Sequence, residues 1–412
     1  MNKKVNFVTL DNGLRVILYS DKSKIKCAAE LITLFSGSDK FFIDSNGKRR
    51  KIYPGTAHFL EHYVYENSKY GIMGDKFYKN DVIDCNAFTN IKQTSYYFKT
   101  IHNFEDNLRI LVNCVYNPIF SKEGVEKTKY AVFNEIRESR DKLSNRNYFK
   151  KMKFVFNDYE PVIGSVSGVS KITCKYIEDV YKYFYVPKNQ ILVITGNFDV
   201  DKTIGLIKDI YSDYVFVNDE KRKQVIGSPL VVKKEGTIKG GNLDIVEVIY
   251  KINLNNLSSY DKYKYDWYVS MFLDGNFSRY FKVNEYLKNN NIITGDVSYS
   301  YYYMMGYLII DISAYTSKKD IFVNVINNVI NNIRDFNKDD FELIKKETKL
   351  RVSVRSDYPS DMVNPIIDNY ILFDYFKEDT IEFVDSLSYD ECINVLSKID
   401  FSNRCIVVTK KD

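Results

Sequence analysis

The order of strand-like and helix-like segments occurs twice along this chain, and this repetition constrains its fold more than any other sequence feature. In the first half, alternating segments on either side of Asp11-Asn12-Gly13 predict a β-hairpin, and another alternating strand covers Cys85–Lys99. Helical segments lie between and after these strands, and the apolar run Gln190–Gly196 is typical of a buried strand. In the second half the order returns, ending in the similar run Cys405–Thr409. Because strands and helices follow in a similar order in both halves, the sequence indicates two duplicated domains.

Between the halves, residues 218–224 (NDEKRKQ) are polar or charged throughout and predict a linker. We therefore predict an α+β fold of two duplicated domains, each a mostly antiparallel sheet covered by helices. The expected boundaries are 1–218 for the first domain, 219–227 for the linker and 228–412 for the second domain.

Composition excludes several classes of protein. Of the 412 residues, 45% are apolar and 15% aromatic, which supplies a core for each domain and excludes intrinsic disorder. The net charge of +5 is spread along the chain, so nucleic acid is not an expected partner. The apolar run Tyr307–Ile310 is broken by Asp311, and no stretch approaches the roughly 18 apolar residues of a membrane span.

The expected compartment is the cytoplasm. Polar residues, among them Asn6 and Asp11, interrupt the N-terminal segment, so it lacks the apolar centre of a secretory signal. The six cysteines include no C-x-x-C pair, and a chain of this length does not need disulfides to fold. We expect these cysteines to be reduced and mostly buried.

Histidine is scarce, and its distribution points to a metal site. The chain has three histidines, and two of them, His58 and His62, stand four residues apart with Glu61 between them. The segment follows Pro54-Gly55 and reads as a helix, which places all three side chains on one face. Two imidazoles one turn apart can bind Zn²⁺, and the carboxylate can act as a base without being a ligand. H-x-x-E-H is a zinc-peptidase signature.

A catalytic zinc needs a third protein ligand from another element. The helical segment 121–143 offers four glutamates, which are Glu123, Glu126, Glu135 and Glu138. Glu135 shares a stripe with small or apolar neighbours, whereas Glu126 and Glu138 fall on more charged faces. The pattern favours Glu135 without excluding the other three.

Four segments resemble the insulinase, pitrilysin and mitochondrial-processing-peptidase family of zinc peptidases. They are GTAHFLEH at Gly55–His62, CNAFTNIKQTSYYF at Cys85–Phe98, NPIFSKEGVEKTKYAVFNEI at Asn117–Ile136 and YVPKNQILVITGNFD at Tyr185–Asp199. Their order and spacing match the family, and the resemblance weakens after the linker. It implies a chain that forms half of a clamshell-shaped chamber.

The resemblance also implies roles for individual residues. His58, His62 and Glu135 would bind Zn²⁺, and Glu61 would be the general base. The segment Asn86-Ala87-Phe88-Thr89 would be the edge strand to which an extended peptide adds through main-chain hydrogen bonds. The family often has a second acidic residue seven positions before the glutamate ligand. Thr128 stands there in this chain, so that role is absent or moved to Glu126.

The second half departs from the family pattern. Active members usually have an arginine and a tyrosine that hold the substrate, in a segment that begins here as Ser278-Arg279-Tyr280-Phe281. Glu285 stands at the arginine position, and 292–295 surround the tyrosine position. We therefore expect the catalytic, metal-bearing subunit of a heterodimer whose paralogous partner supplies the missing pair. The expected function is zinc-dependent hydrolysis of unfolded peptides, with precursor maturation as one role. The alternatives are a self-sufficient homodimer and a non-catalytic structural subunit of the same fold.

Overall fold

The computed structural model of the protein describes residues 5–214, 226–355, 359–375, 377 and 379–411. Most of the linker expected at 219–227 lies outside these residues. The described residues form two compact units, which are treated separately below. The first unit contains 5–139, 160–214 and 359–364, and the second contains 140–159, 226–355 and the rest of the C-terminal segment.

The N-terminal half contributes eight strands and eight helices in its described part. The strands are β1 Val5–Thr9, β2 Arg15–Ser20, β3 Cys27–Thr33, β4 Phe41–Ile43, β5 Arg49–Lys51, β6 Val82–Thr89, β7 Thr94–Thr100 and β8 Gln190–Gly196. The helices are α1 Thr56–Glu66, α2 Met73–Tyr78, α3 Phe104–Tyr116, α4 Lys122–Asp141, α5 Leu143–Val155, α6 Val166–Val169, α7 Cys174–Phe184 and α8 Val200–Ser212.

Six of these strands form the sheet of the first unit, in the order β1-β2-β8-β3-β7-β6. Neighbours pair antiparallel except β2 and β8, which are parallel. The predicted hairpin is confirmed, with Val5 opposite Tyr19, and Gly13 adopts a φ of +84° that favours glycine in its turn. Every residue of β8 is buried, as its apolar run predicts for an inner strand.

The C-terminal half adds five strands and seven helices in its described part. The strands are β9 Glu235–Gly241, β10 Ile245–Asn253, β11 Thr294–Met304, β12 Tyr307–Tyr315 and β13 Arg404–Lys411. The helices are α9 Ser259–Phe277, α10 Lys282–Asn289, α11 Lys319–Asn331, α12 Lys338–Arg355, α13 Pro359–Phe373, α14 Thr380–Ser386 and α15 Tyr389–Leu396.

The second sheet has five strands, and their arrangement repeats five of the six strands of the first sheet, all except β1. Its order is β11-β12-β10-β13-β9, with antiparallel pairs except the parallel pair β13 and β9. The hairpin β11–β12 therefore corresponds to β6–β7, and the parallel pair at the other side corresponds to β8 and β2. This confirms the predicted α+β fold with two duplicated, mostly antiparallel sheets covered by helices. None of the helices in the described ranges is both long and apolar enough to cross a membrane.

Helix α5 packs with the second sheet although it precedes the linker in sequence. The Lys151 ammonium contacts Glu247 at 2.7 Å and Asp311 at 2.8 Å, and all three side chains are largely buried. These two carboxylates belong to β10 and β12. Residues 140–159 therefore group with the second unit, whereas the sequence boundaries place them in the first domain.

Candidate metal centre

Helix α1 carries the histidine motif, and its start is fixed by glycine. Gly55 has a φ of +90°, and a Cβ added there would lie 2.9 Å from the Ile163 carbonyl oxygen. One face of α1 is buried in the core of the first unit through Phe59, Leu60 and Val64. His58 and His62 are therefore left on the adjacent, half-buried face.

Contacts near the start of α4 hold this helix against α1. The Tyr63 hydroxyl donates to the Ile119 carbonyl oxygen at 2.9 Å and accepts from the Ser121 N–H at 2.9 Å. Gly124 makes the approach possible, because a Cβ there would lie 2.9 Å from the Tyr63 hydroxyl. Further along α4, the buried Val132 and Ile136 anchor the turn that carries Glu135.

Glu135 faces both histidines. Its Oε2 lies 3.3 Å from His58 Nε2, and its Oε1 lies 3.3 Å from His62 Nε2. The two imidazole centroids are 4.7 Å apart, and the ligand atoms of all three residues lie within 4.8 Å of one another. Within the described ranges, no other set of three His, Cys, Asp or Glu side chains converges in this way.

The electrostatics of these side chains suit a divalent cation. Burial, followed by the nearby His62, lowers the pKa of His58 to about 4, so its imidazole is neutral at pH 7. The hydrogen bond with His62 lowers the pKa of Glu135. Burial acts to lower the pKa of His62, but the hydrogen bond with Glu135 and the charge of that carboxylate outweigh burial, and the pKa of His62 rises. Zn²⁺ binds the neutral form of imidazole, so zinc binding competes with protonation of His62. Two imidazoles and a carboxylate are the donor set of catalytic zinc sites, and the residues present fit that ion.

Glu61 lies beside the three metal-binding candidates but is not one of them. It is 8% exposed, and its Oε2 has no hydrogen-bond partner among the described residues. Burial raises the pKa of Glu61, and a hydrogen bond with the Thr89 side chain acts in the opposite direction. A buried carboxylate with an unoccupied oxygen can take up a proton from a reacting group.

The predicted substrate strand is β6, the last strand of the first sheet. Ala87 lies opposite Tyr96, and Thr89 lies opposite Thr94. Side chains alternate along a strand, so Ala87 and Thr89 share the face that α1 covers, whereas Asn86 and Phe88 lie on the other face. Asn86 and Phe88 are accordingly more exposed.

Other residues considered from the sequence lie elsewhere. Glu126 is directed to solvent, where its carboxylate contacts Lys129 at 2.8 Å, so it does not take over the acidic role that Thr128 lacks. Arg279 is largely exposed and lies 3.6 Å from Asp296, and Glu285 is exposed on α10. Sequence reasoning missed Tyr96 and Tyr185, whose buried hydroxyls bond to each other at 2.8 Å. The sequence around them, TSYYFKT at 94–100 and YFYVPKN at 183–189, contains no motif that distinguishes either residue from an ordinary core tyrosine.

Comparison with protein families gives two matches on this chain. Residues 49–155 match the family described as Insulinase (Peptidase family M16), and residues 171–348 match the family described as Peptidase M16 inactive domain. The second match begins within the first unit, at α7 and β8, and continues through most of the second unit, and 15 residues separate the two matches.

Relatives and solved structures agree with these matches. A Bacillus subtilis protein named uncharacterized zinc protease YmfH is 29% identical over 56% of this chain, and the match spans 55% of that relative. A Rickettsia felis protein named uncharacterized zinc protease is 24% identical over 97% of this chain and 96% of its own length. The fold is similar to that of an M16-like peptidase from Alicyclobacillus acidocaldarius, with a TM-score of 0.88, 19% identity and coverage of 100% and 99% of the two chains. A Helicobacter pylori protease has a TM-score of 0.81 at 16% identity, with 99% of both chains covered.

Proposed function

We propose, because this chain belongs to the insulinase family (Peptidase family M16), that it is a zinc-dependent endopeptidase that hydrolyses unfolded peptides. The observation that carries the proposal is the convergence of His58, His62 and Glu135, with the buried Glu61 carboxylate beside them. The relatives from Bacillus subtilis and Rickettsia felis are named uncharacterized zinc proteases, and these names support the same reaction class.

In this proposal His58, His62 and Glu135 hold the zinc ion. When bound, zinc acts as a Lewis acid that increases the reactivity of water and of a peptide carbonyl at neutral pH. The side chains of this protein provide two imidazoles, of which His58 is neutral at pH 7, and the carboxylate of Glu135, whose pKa is lowered by its hydrogen bond with His62. Their placement on two rigid helices fixes the donors before the ion arrives.

Glu61 is the proposed general base. Its carboxylate takes a proton from the water that attacks the peptide carbonyl and later delivers that proton to the leaving amine. Glu61 accepts one proton from water and releases one proton to the amine, so its carboxylate is ionised again at the end of the cycle. Burial of Glu61 favours such a shuttle, because it brings the pKa of the carboxyl closer to neutral pH.

We propose that the substrate binds as an extended strand along the free side of β6, at Asn86, Ala87, Phe88 and Thr89. Main-chain pairing tolerates many side chains, which suits a peptidase for unfolded peptides. Ala87 and Thr89 share the sheet face of α1, so a strand added here would pass close to Glu61.

The proposed assembly is a heterodimer with a paralogous subunit. The positions of the family's arginine and tyrosine hold Glu285 and the segment 292–295 in this chain, so a partner would supply that pair. A homodimer is the alternative within the same reaction class. We keep maturation of a peptide precursor as the proposed role, 1–218 and 228–412 as the proposed domains, and the cytoplasm as the proposed compartment. The six cysteines, none of which forms a disulfide, support that compartment.

A second candidate function is a non-catalytic subunit of the same fold. The family matched by residues 171–348 is described as an inactive domain, and this half lacks the substrate-binding pair. The cluster of His58, His62 and Glu135 favours the enzyme. In a subunit without activity, the buried Glu61 carboxylate beside this cluster would lower the stability of the fold without serving a function.

The test combines zinc content with cleavage of fluorescein-labelled, unfolded casein, by the purified chain alone and by the chain with its co-purified paralogue. Glu61→Gln should bind one zinc ion but cleave casein about 10²–10⁴-fold more slowly. Glu126→Gln is the matched control, because that glutamate is exposed on α4, and it should cleave at the normal rate. Unchanged cleavage by Glu61→Gln would exclude the general-base role, and a purified wild-type protein that binds no zinc would favour the non-catalytic subunit.

A further inference from the structure

The hydrogen-bond register of β6 decides which of its main-chain groups face the free side of the strand. In an antiparallel pair, residues that exchange main-chain hydrogen bonds alternate with residues whose N–H and C=O groups point away from the partner strand. At the end of the β6–β7 hairpin, the Asn90 N–H donates to the Gln93 carbonyl oxygen at 2.9 Å. Alternation from this bonded pair places the main-chain groups of Ala87 and Thr89 on the side away from β7. These are therefore the groups that an added strand would bind.

One of these main-chain groups already has a partner within the chain. The Ala87 N–H donates to the side-chain oxygen of Asn86, Oδ1, at 2.9 Å. Asn86 is exposed, and no strand of the described chain pairs with β6 on this side. The carboxamide of asparagine carries the same kind of carbonyl acceptor as a peptide group. The side chain of Asn86 therefore takes the place that a carbonyl oxygen of an added strand would take.

This hydrogen bond is suited to being exchanged for another. A bond between two neutral groups changes an equilibrium by about two- to tenfold, so a peptide that pairs at several positions can replace it. Rotation of the Asn86 side chain between rotamers releases the Ala87 N–H without movement of the main chain. Until then, the bond leaves one donor fewer on an exposed edge strand, which reduces the tendency of the edge to pair with other chains.

We infer that Asn86 is an intramolecular cap of the substrate strand: its carboxamide occupies the Ala87 N–H in the protein without substrate, and an extended peptide binds by displacing it. The cap lowers the affinity for every peptide, because only the fraction of molecules with an available Ala87 N–H is competent to bind. The competition with peptide rests on the proposed function, whereas the hydrogen bond itself does not.

The first test needs neither zinc nor activity. The chain contains six alanines, so ¹⁵N-alanine labelling reduces the amide spectrum to six signals, one of which belongs to Ala87. The test compares exchange of the Ala87 amide hydrogen with water in the wild-type protein and in Asn86→Leu, which has a similar shape but no acceptor. Relative to the rate in each urea-unfolded chain, exchange should be about two- to tenfold faster in the variant. Ala29 of the inner strand β3 should not change, and equal relative rates at Ala87 would overturn the inference.

The second test measures the competition with substrate. With labelled casein, Asn86→Leu and Asn86→Ala should both lower KM about two- to tenfold, with kcat unchanged within about twofold. Agreement between the two variants shows that loss of the acceptor, and not the added apolar surface of leucine, causes the effect. The matched control is Asn253→Leu, because the Asn253 side chain accepts from the Asn255 N–H at the same 2.9 Å, at the end of β10. This variant should have the KM of the wild type.

The outcomes separate this inference from the proposed function. An unchanged or increased KM in both Asn86 variants, with cleavage that is lost in Glu61→Gln, would overturn the cap and retain the proposed function. Faster exchange at Ala87, with no casein cleavage by the wild-type protein alone or with its co-purified paralogue, would retain the hydrogen bond. That result would exclude both the proposed function and the competition with peptide.

Discussion

The two units of this protein share the arrangement of five sheet strands but carry different side chains at one corresponding helix position. Glu135 and Arg351 each stand thirteen residues after the first residue of their helices, Lys122 in α4 and Lys338 in α12. Glu135 faces the two imidazoles of α1. In the second unit, Arg351 donates to Asp274 of α9 at 2.9 Å, and α9 follows β10 in the same order as α1 follows β3.

The hydrogen-bond and ion-pair partners of Glu135 and Asp274 explain what each of these carboxylates can bind. Asp274 accepts hydrogen bonds from Arg351 and, at 2.8 Å, from the Tyr299 hydroxyl, so its negative charge is satisfied within the chain. Among the described residues, the ion-pair contacts of Glu135 are with the imidazoles of His58 and His62, and neither comes from a lysine or an arginine. The position of Glu135 therefore suits the bound cation of the proposed function, whereas Asp274 already has a cation of the chain, Arg351, beside it. The fold is common to both, and the side chains at a few positions decide the chemistry.

The largest expected effect comes from placing arginine, the residue of the second unit at position 351, at the corresponding position 135 of the first unit. Glu135→Arg removes one metal ligand and places a positive charge between the imidazoles. We expect the zinc affinity to fall by more than about 100-fold, because replacing even a supporting residue of such a site costs about 10–100-fold. Competition with a chromophoric chelator measures the affinity. Glu126→Arg, an exposed position on the same helix, is the control, and retention of zinc by Glu135→Arg would show that Glu135 is not a ligand.

The metal-binding candidates could be predicted from the sequence because their geometry is local. His58, Glu61 and His62 lie within two turns of one helix, so spacing alone places them on one face. Glu135 needed a second helix, and the stripe of small and apolar residues around it was sufficient to favour it. The structure brings His58, His62 and Glu135 together, with the buried Glu61 one residue before His62 on the same helix.

The remaining features depend on contacts between residues distant in sequence, which periodicity does not reveal. The bond between Tyr96 and Tyr185 spans 89 positions, and that between Arg351 and Asp274 spans 77. The placement of α5 on the second sheet depends on a buried ion pair of Lys151 that no local pattern signals. Boundaries drawn from composition therefore assigned this helix to the half of the chain in which it occurs.

The central strands of the two sheets also differ, because β10 contains a buried lysine and β3 contains none. Lys251 is 1% exposed, and its ammonium contacts the Val155 and Leu230 carbonyl oxygens at 3.0 and 3.2 Å without a carboxylate at those distances. Burial lowers the pKa of Lys251 to about 8. The folded protein therefore loses this proton at a lower pH than the unfolded chain, whose lysine has a pKa of about 10.4.

Stability should accordingly rise with pH between about 8 and 10, by about 1–3 kcal/mol from this group. The measurement is urea unfolding at pH 7.5 and 9.5, followed through the fluorescence of Trp267, the one tryptophan of the chain, which lies in the second unit. The difference in unfolding free energy between wild type and Lys251→Met should increase with pH. The exposed Lys239→Met should show no such change, and a difference independent of pH would mean that Lys251 titrates normally.

Removing Arg351 tests the corresponding position in the second unit. Arg351→Met leaves the Asp274 carboxylate, 15% exposed, with only the Tyr299 hydroxyl. We expect the free energy of unfolding of the second unit to fall by about 1–2 kcal/mol, since Arg351 itself is half exposed and the pair is partly screened. Trp267 fluorescence in urea measures the loss, and the zinc affinity of the first unit should not change. Lys346→Met, on the exposed side of the same helix, should be neutral.

The smallest expected effect comes from Thr128. The resemblance to the insulinase family leads us to expect an acidic residue at this position, and the second unit has an aliphatic one at the corresponding position. Thr128 and Ile344 each stand six residues after the first residue of their helices, and both are 1% exposed. The Thr128 hydroxyl oxygen has no hydrogen-bond partner among the described residues. Thr128→Val has nearly the same shape and removes this unpaired group, so zinc-free protein should become more stable by up to about 1 kcal/mol. Thermal unfolding in a chelating buffer measures the change, with the exposed Thr237→Val of β9 as a control. A loss of stability would instead indicate that the Thr128 hydroxyl bonds to a buried water molecule. The buried His58 Nδ1 also has no hydrogen-bond partner among the described residues, so this nitrogen would be the first candidate for the second partner of that water.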